Sequence, residues 1–253
     1  MRLARLAVLF ASLVVVDPWA RAEDLPAPAP AAADYAVLSL LGDRLLVAGS
    51  LTSIGGANSK HEFIELGDSF VEGGALVAVK EAITRLEPGA AVALLRSRNA
   101  ALFAIQEESL DSHGGAQALA DALRPRLESI SAKRLLLVSK FRRGTVLRFA
   151  DRYHEREGRL EGLGYFVDRG LHVKNAETGE PQSGFIGVFA YFRMSLIDVR
   201  TWRVVREIDV AESRIRGERD GEPWEKVSAE QKVKALQALV REEMLRALSR
   251  LIP

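Results

Sequence analysis

Two short blocks of this chain hold residues that could do chemistry together: Gly67-Asp68-Ser69-Phe70 and Asp151-Arg-Tyr-His154. A serine hydroxyl becomes a useful nucleophile when a nearby imidazole takes its proton, and a carboxylate can hold that imidazole in the right tautomer. Ser69, His154 and Asp151 could in that way carry acyl transfer. Ser69 also has a noncatalytic reading. Glu72 follows it by three positions, and Ala75, Leu76, Val79, Ile83 and Leu86 recur at helical spacing up to Pro88-Gly89. That pattern predicts a capping box with Ser69 as the N-cap of a helix.

The GDS block and the later DxxH resemble the Ser and Asp/His signatures of SGNH (GDSL-type) esterases. In that family the DxxH lies near the C-terminus, whereas about a hundred residues follow Asp151 here. The family's G-x-N-D block is missing, since Asn58, Asn99 and Asn175 stand in other contexts. A serine esterase using Ser69, Asp151 and His154 is therefore the alternative expectation, and a noncatalytic protein the leading one.

Other chemistries have weaker signals. His61, His113, His154 and His172 are dispersed, with neither H-x-H nor H-E-x-x-H spacing, so no metal site is expected. His154, beside Glu155 and Glu157, reads as part of a charged solvent-facing turn. There is no cysteine, which excludes a thiol nucleophile, a thiolate metal site and disulfides. The pairs Gly55-Gly56, Gly73-Gly74 and Gly114-Gly115 match neither a dinucleotide fingerprint nor a P-loop, and no cofactor is expected. The chain has 35 Lys and Arg against 34 Asp and Glu. Short basic clusters such as Lys140-Phe141-Arg142-Arg143 and Arg214-Ile215-Arg216 have acidic neighbours and read as solvated faces. A nucleic-acid partner is not expected.

The remaining candidate is a surface. Gly184 to Phe192 reads GFIGVFAYF, and period two places Phe185, Phe189 and Tyr191 on one face of a strand. Ile186, Val188 and Phe192 fall on the other. A strand apolar on both faces is either covered twice as core, the leading expectation, or presents one face to an envelope protein or a lipid surface.

These residues must be positioned by a fold. Arg2 and Arg5, an apolar run from Leu6 to Val16, Pro18 and Ala20-Arg21-Ala22 have the form of a cleavable export signal over residues 1–22. The implied location is the periplasm of a Gram-negative cell. Residues 23–33 include the Ala/Pro tract LPAPAPAAA, a tether, and residues 34–253 read as one domain with no further membrane span. Strands are predicted at Tyr35–Leu41, at Arg44–Ser53 as its hairpin partner, and at Phe63–Leu66, Ala91–Arg96 and Arg134–Ser139. A second helix runs through Leu119, Leu123 and Leu127 to Ile130, with a kink at Pro125. Extended segments follow at Leu160–Asp168 and Leu171–Lys174, then a long strand over Phe185–Val199. A turn at Asp198–Trp202 leads to a return strand over Arg203–Ser213. Ser228 and Gln231 make a capping box for a closing helix lined by Val233, Leu236, Val240, Met244, Ala247, Leu248 and Leu251. The fold class is α/β (or α+β): a mixed sheet flanked by helices, with a C-terminal amphipathic helix.

The hairpin from Met194 to Val205, with Leu196, Asp198, Thr201 and Val204 in an L-x-D-x-x-T-G-x-V pattern, resembles curli-secretion and penicillin-binding-protein-activator lipoproteins and the related TolB N-terminal fold. The resemblance implies a periplasmic α/β domain that works by binding or assembling. The chain departs from it in having Trp202 at the glycine position and no lipobox cysteine. The resulting expectation is a noncatalytic envelope accessory or partner-binding protein. A small-molecule binder with a pocket between sheet and helices is the further alternative.

Overall fold

The computed structural model describes residues 33–42, 44–50, 59–65, 71–97, 99–110, 115–127, 131–149, 152–174, 181–217 and 223–252. The expected export signal, most of the tether, Ser69 and Asp151 lie outside them.

β1 (Ala33–Ser39) is buried almost throughout, so it needs neighbours on both edges and cover on both faces. It pairs in parallel with β4 (Val92–Arg96) on one side and β5 (Ala132–Lys140) on the other. The predicted hairpin of Tyr35–Leu41 with Arg44–Ser53 does not form. β2 (Arg44–Ser50) instead pairs antiparallel with β3 (Ser59–Glu65) and parallel with β7 (Arg152–Lys174). The reason is that both edges of β1 are taken by strands arriving through helical crossovers. β8 (Pro181–Asp198) joins the halves, pairing with β7 along its first part and β5 along its last. β9 (Arg203–Gly217) runs back along β8, and β6 (Arg142–Phe149) pairs with the first part of β7. The order along the main path is β3-β2-β7-β8-β5-β1-β4, a mixed sheet.

Alternation along the strands divides the core. On one face Tyr35, Val37, Leu136, Val138, Met194 and Leu196 pack beneath α1 (Gly73–Leu86) and the closing helix α5 (Ala229–Leu251), which a single turn, α4 (Pro223–Lys226), precedes. On the other face Ala36, Leu38, Leu135, Leu137 and Ile197 lie beneath α2 (Ala100–Ser109) and α3 (Gly115–Leu127), which supply Leu102, Leu119, Ala120, Leu123 and Leu127. Farther along that second face Phe185, Phe189 and Tyr191 are covered by Leu147 of β6 and Leu160 of β7. The second face thus has two different lids, a helix pair and a β-hairpin. β7 can supply both sheet and lid because Gly162, at φ +62°, lets the strand turn out of the sheet.

Several local expectations change. α1 begins at Gly73 with Glu72 as N-cap and no side-chain capping bond, so the helix starts later than a Ser69 cap requires. α2 was not predicted, because Ala100 to Ile105 is a continuous apolar run with no helical stripe; its start is marked by Asn99, whose side chain accepts from the Ala101 N–H at 2.9 Å. β6 was missed as well, although Thr145 and Leu147 are buried at alternate positions. The turn expected around His154 is strand: His154 stands opposite Leu147 in the β6–β7 ladder. Val233, predicted on the buried face of the closing helix, is exposed, while Leu236, Val240, Met244, Ala247, Leu248 and Leu251 are buried.

The hairpin turn accounts for the departure at Trp202. This residue sits at φ +55°, the left-handed region where glycine is at ease, yet its ring is buried in the core beneath α2 and α3. Indole burial offsets the backbone cost. The capping box of α5 forms as predicted, with the Gln231 N–H donating to Ser228 Oγ at 3.2 Å and the Ser228 N–H to Gln231 Oε1 at 3.1 Å. Ser228→Ala is expected to lower unfolding free energy by about 1 kcal/mol in urea titrations. No change would mean that the cap does not hold the helix start.

Candidate functional site

The aromatic strand, expected either as core or as a docking surface, lies in the core. Phe185, Phe189 and Tyr191 are all fully buried. Phe185 stacks on Phe166 with ring centres 5.9 Å apart, and Phe189 meets Tyr191 edge-on at 5.7 Å. The Tyr191 hydroxyl donates to the Val146 carbonyl at 3.0 Å and accepts from the Val146 N–H at 2.8 Å. Burial pushes the Tyr191 hydroxyl pKa up. The β6–β7 lid, absent from the sequence reading, closes this face within one chain. The alternative of a docking surface for a protein or lipid on Phe185, Phe189 and Tyr191 is thereby corrected. Of the hydrolase candidates, His154 is placed by its backbone on β7, while Ser69 and Asp151 lie outside the described residues. No group of three or more metal-ligating side chains occurs among the described residues.

A cleft of about 240 Å³ opens instead where the two lids meet. The end of α2 and the start of α3 form one wall, with Gln106, Ser109 and Gly115. The other is formed by Lys140 at the end of β5, Phe141, Arg142 of β6 and Arg159 of β7, and Arg193 of β8 stands at the seam. Gln106 ties the walls together: its amide donates to the Leu40 carbonyl at 3.0 Å and accepts from the Lys140 N–H at 2.8 Å.

Charges around the cleft are held from behind. Glu107 receives Lys140 Nζ and Arg44 Nη2, each at 2.8 Å. Glu161 receives Arg142 Nε at 2.5 Å and lies 3.6 Å from Arg44 Nη2. Glu107 and Glu161 thus tie Arg44, Lys140 and Arg142 into one charged network. The Lys140 side chain is only 2% exposed, so the basic cluster Lys140-Phe141-Arg142-Arg143, read as a solvated face, in fact sends its lysine inward. Arg193 is fixed by a fork to Asp209, Nε to Oδ1 at 2.5 Å and Nη2 to Oδ2 at 3.0 Å, and by the Phe141 ring 5.2 Å beneath it. The Asp209 hydrogen bonds raise the Arg193 pKa. Such a constellation has donors and positive charge for holding an anionic group.

No family model matches this chain, and no curated protein matches it. Solved structures similar to it include the PelC dodecamer from Paraburkholderia phytofirmans, with 15% identity, coverage of 89% of this chain and 91% of that one, and a TM-score of 0.26. Another is a putative neuraminyllactose-binding hemagglutinin homolog from Helicobacter pylori, at 7% identity, 89% coverage of each chain and a TM-score of 0.33. A third, a Xanthomonas campestris protein of family DUF330, has 10% identity, 90% and 88% coverage and a TM-score of 0.29. These loose superpositions assign the chain no role.

The cleft residues were missed as a set by sequence reasoning, though one signal was present. Arg193 is the only charged residue between Gly184 and Ile197, in an otherwise apolar strand. A lone charge in a buried strand needs a partner, and its partners mark a polar opening in the core.

Proposed function

We propose that this chain is an exported, noncatalytic accessory protein of the Gram-negative envelope that acts by binding, with the cationic cleft as its binding centre. The observation that carries the reading is the convergence of Lys140, Arg142, Arg159 and Arg193 on one opening between sheet and helices. Support for location comes from the signal-like residues 1–22 and the Ala/Pro tract behind them. The resemblance of the hairpin Met194–Val205 to periplasmic binding and assembly domains points the same way. A cleft between sheet and helices also suits the small-molecule form of the reading, and both forms share the requirement for an acidic group on what is bound.

A photo-crosslinker introduced at Ala118, an exposed α3 residue next in sequence to the cleft-lining Leu119, tests the reading in living cells. Discrete adducts are expected in the periplasmic fraction, and changing Arg142 and Arg159 together to Glu should abolish them. The exported chain should start at Glu23 by intact mass. Adducts that persist after the charge reversal would overturn the binding centre, and full-length chain in the membrane pellet would overturn export by a cleaved signal.

A further inference from the structure

Among the described residues, β3, β4, β6 and β9 each have a ladder partner on one side only. An open strand edge presents unpaired N–H and C=O groups to any other chain, and proteins ordinarily blunt it with charge, bulges or proline. Three of these edges are blunted. β3 carries Lys60, Glu62 and Glu65, and β6 carries Arg142, Arg143 and Arg148. β9 carries Arg206, Glu207 and Asp209, and its register with β8 breaks at Val205. β4 has none of these devices. It reads Val92-Ala-Leu-Leu-Arg96, with charge at its last residue alone, and its ladder with β1 runs from Val92 to Arg96 without a shift.

Cover over β4 is also incomplete. Val92 and Leu94 join the cluster beneath α1, and Leu95 the cluster beneath α2, but Val92, Ala93 and Leu94 all stay partly exposed. α2 begins shortly beyond β4 and is apolar from Ala100 to Ile105, yet it buries only Leu102 and Gln106. A helix apolar on every side is ordinarily covered on more than one. Here Ala101 and Ala104 are exposed, and Phe103 and Ile105 are partly exposed. Leu86, which ends α1 just before β4, is 48% exposed. The one unblunted edge is thus bordered by unburied apolar residues from the helices on both of its faces.

The charges at the two ends of the strand select the occupant. Glu87 precedes β4 and Arg96 ends it. When β4 pairs antiparallel with a second β4, apolar residues oppose apolar residues in the middle. Each copy's Glu87 end then comes beside the other's Arg96 end. That arrangement has two-fold symmetry, so it closes at two copies. Pairing of β4 with the β3 of another copy would continue without end, and the charges on β3 oppose it. Five residues of ladder fall short of the roughly 1,200–2,000 Å² that stable interfaces bury. The two-fold axis brings α1 and α2 of both copies to the same place, where their unburied apolar residues add to the area.

We infer that this chain forms a homodimer in which β4 pairs antiparallel with β4 of a second copy, joining two sheets into one. The inference is independent of what the cleft binds.

The chain has no cysteine, so a single introduced one can form a disulfide only between copies. Val92→Cys, Ala93→Cys and Leu94→Cys are made one at a time, purified whole in reduced form and then oxidised. Val205→Cys, 59% exposed on the β9 edge, is the control. Opposed residues of an antiparallel ladder have Cβ atoms about 4.5–5.5 Å apart, near disulfide spacing. At least one β4 variant should convert to disulfide-linked dimer while the control stays monomeric. Light scattering on the unaltered chain, from about 1 to 100 µM, should approach twice the mass of one chain. Ala93→Lys, which places a charge on the edge, should weaken association at least about tenfold. Ala101→Glu with Ala104→Glu, both at exposed positions, should do the same with an unchanged circular dichroism spectrum. A chain monomeric throughout that range would overturn the dimer, whether or not the edge then takes up a foreign peptide. Disulfide formation no greater than in the control, or wild-type association in the folded charge variants, would overturn the β4 pairing.

Discussion

Phe189→Ala is expected to destabilise the protein by about 3–5 kcal/mol, the cost usual for deleting a buried aromatic ring. The ring is fully buried beneath the β6–β7 lid and stands edge-on to Tyr191 at 5.7 Å. A Cβ at Gly164 would come within 2.8 Å of it, so the ring lies directly against the backbone of the neighbouring strand. Little nearby material can move in to fill the space. Since a domain's whole stability is roughly 5–15 kcal/mol, the loss should shift the urea midpoint far outside error. Phe185 shares the face and its burial, so Phe185→Ala should behave in the same way. Unchanged midpoints for both would mean that the lid does not close over this face in solution, and would return the aromatic strand to consideration as a docking surface.

Glu107→Gln is expected to cost about 2–3 kcal/mol, because it leaves the buried Lys140 ammonium without its carboxylate. Glu107 also receives Arg44 at 2.8 Å and lies 3.9 Å from Arg142. Its own side chain is 29% exposed, which lets water reach the site and places the cost below that of a fully enclosed pair. Adding Lys140→Met should recover most of the loss, since a flexible apolar side chain can occupy the lysine's path without a charge to satisfy. A double-mutant cycle in urea checks this. A double variant no more stable than Glu107→Gln would show that the carboxylate acts through Arg44 and Arg142 instead of Lys140.

The two results bear on function from opposite sides. The first concerns the face that sequence reasoning left as core or docking surface, and the second the cleft it did not foresee. Both lie on the same side of the sheet, one beneath the β-hairpin lid and the other at the junction of that lid with α2 and α3. The cleft opens at the junction because two lids of different geometry leave a gap. The ends of secondary structure elements bring polar side chains to it.

Local patterns determined much of the architecture. The apolar run at Tyr35 specified a strand covered on both faces, and the Ser228 and Gln231 pair marked the start of the closing helix. Asp198 to Trp202 marked the turn between the two long strands, where Thr201 N–H donates to Asp198 Oδ1 at 2.9 Å. Each of these features depends on interactions within a few residues or on period-two and helical spacing, which a linear reading can detect. Tertiary structure alone decided that β2 leaves β1 for β7, that β7 turns at Gly162 to form a lid, and that Phe185, Phe189 and Tyr191 lie beneath it. It alone brought Arg44, Glu107, Lys140, Arg142, Glu161 and Arg193 together. Those outcomes depend on competition among distant strands for the same edges and on which face is covered by what, and the free energy of that choice resides in contacts between segments far apart in the chain.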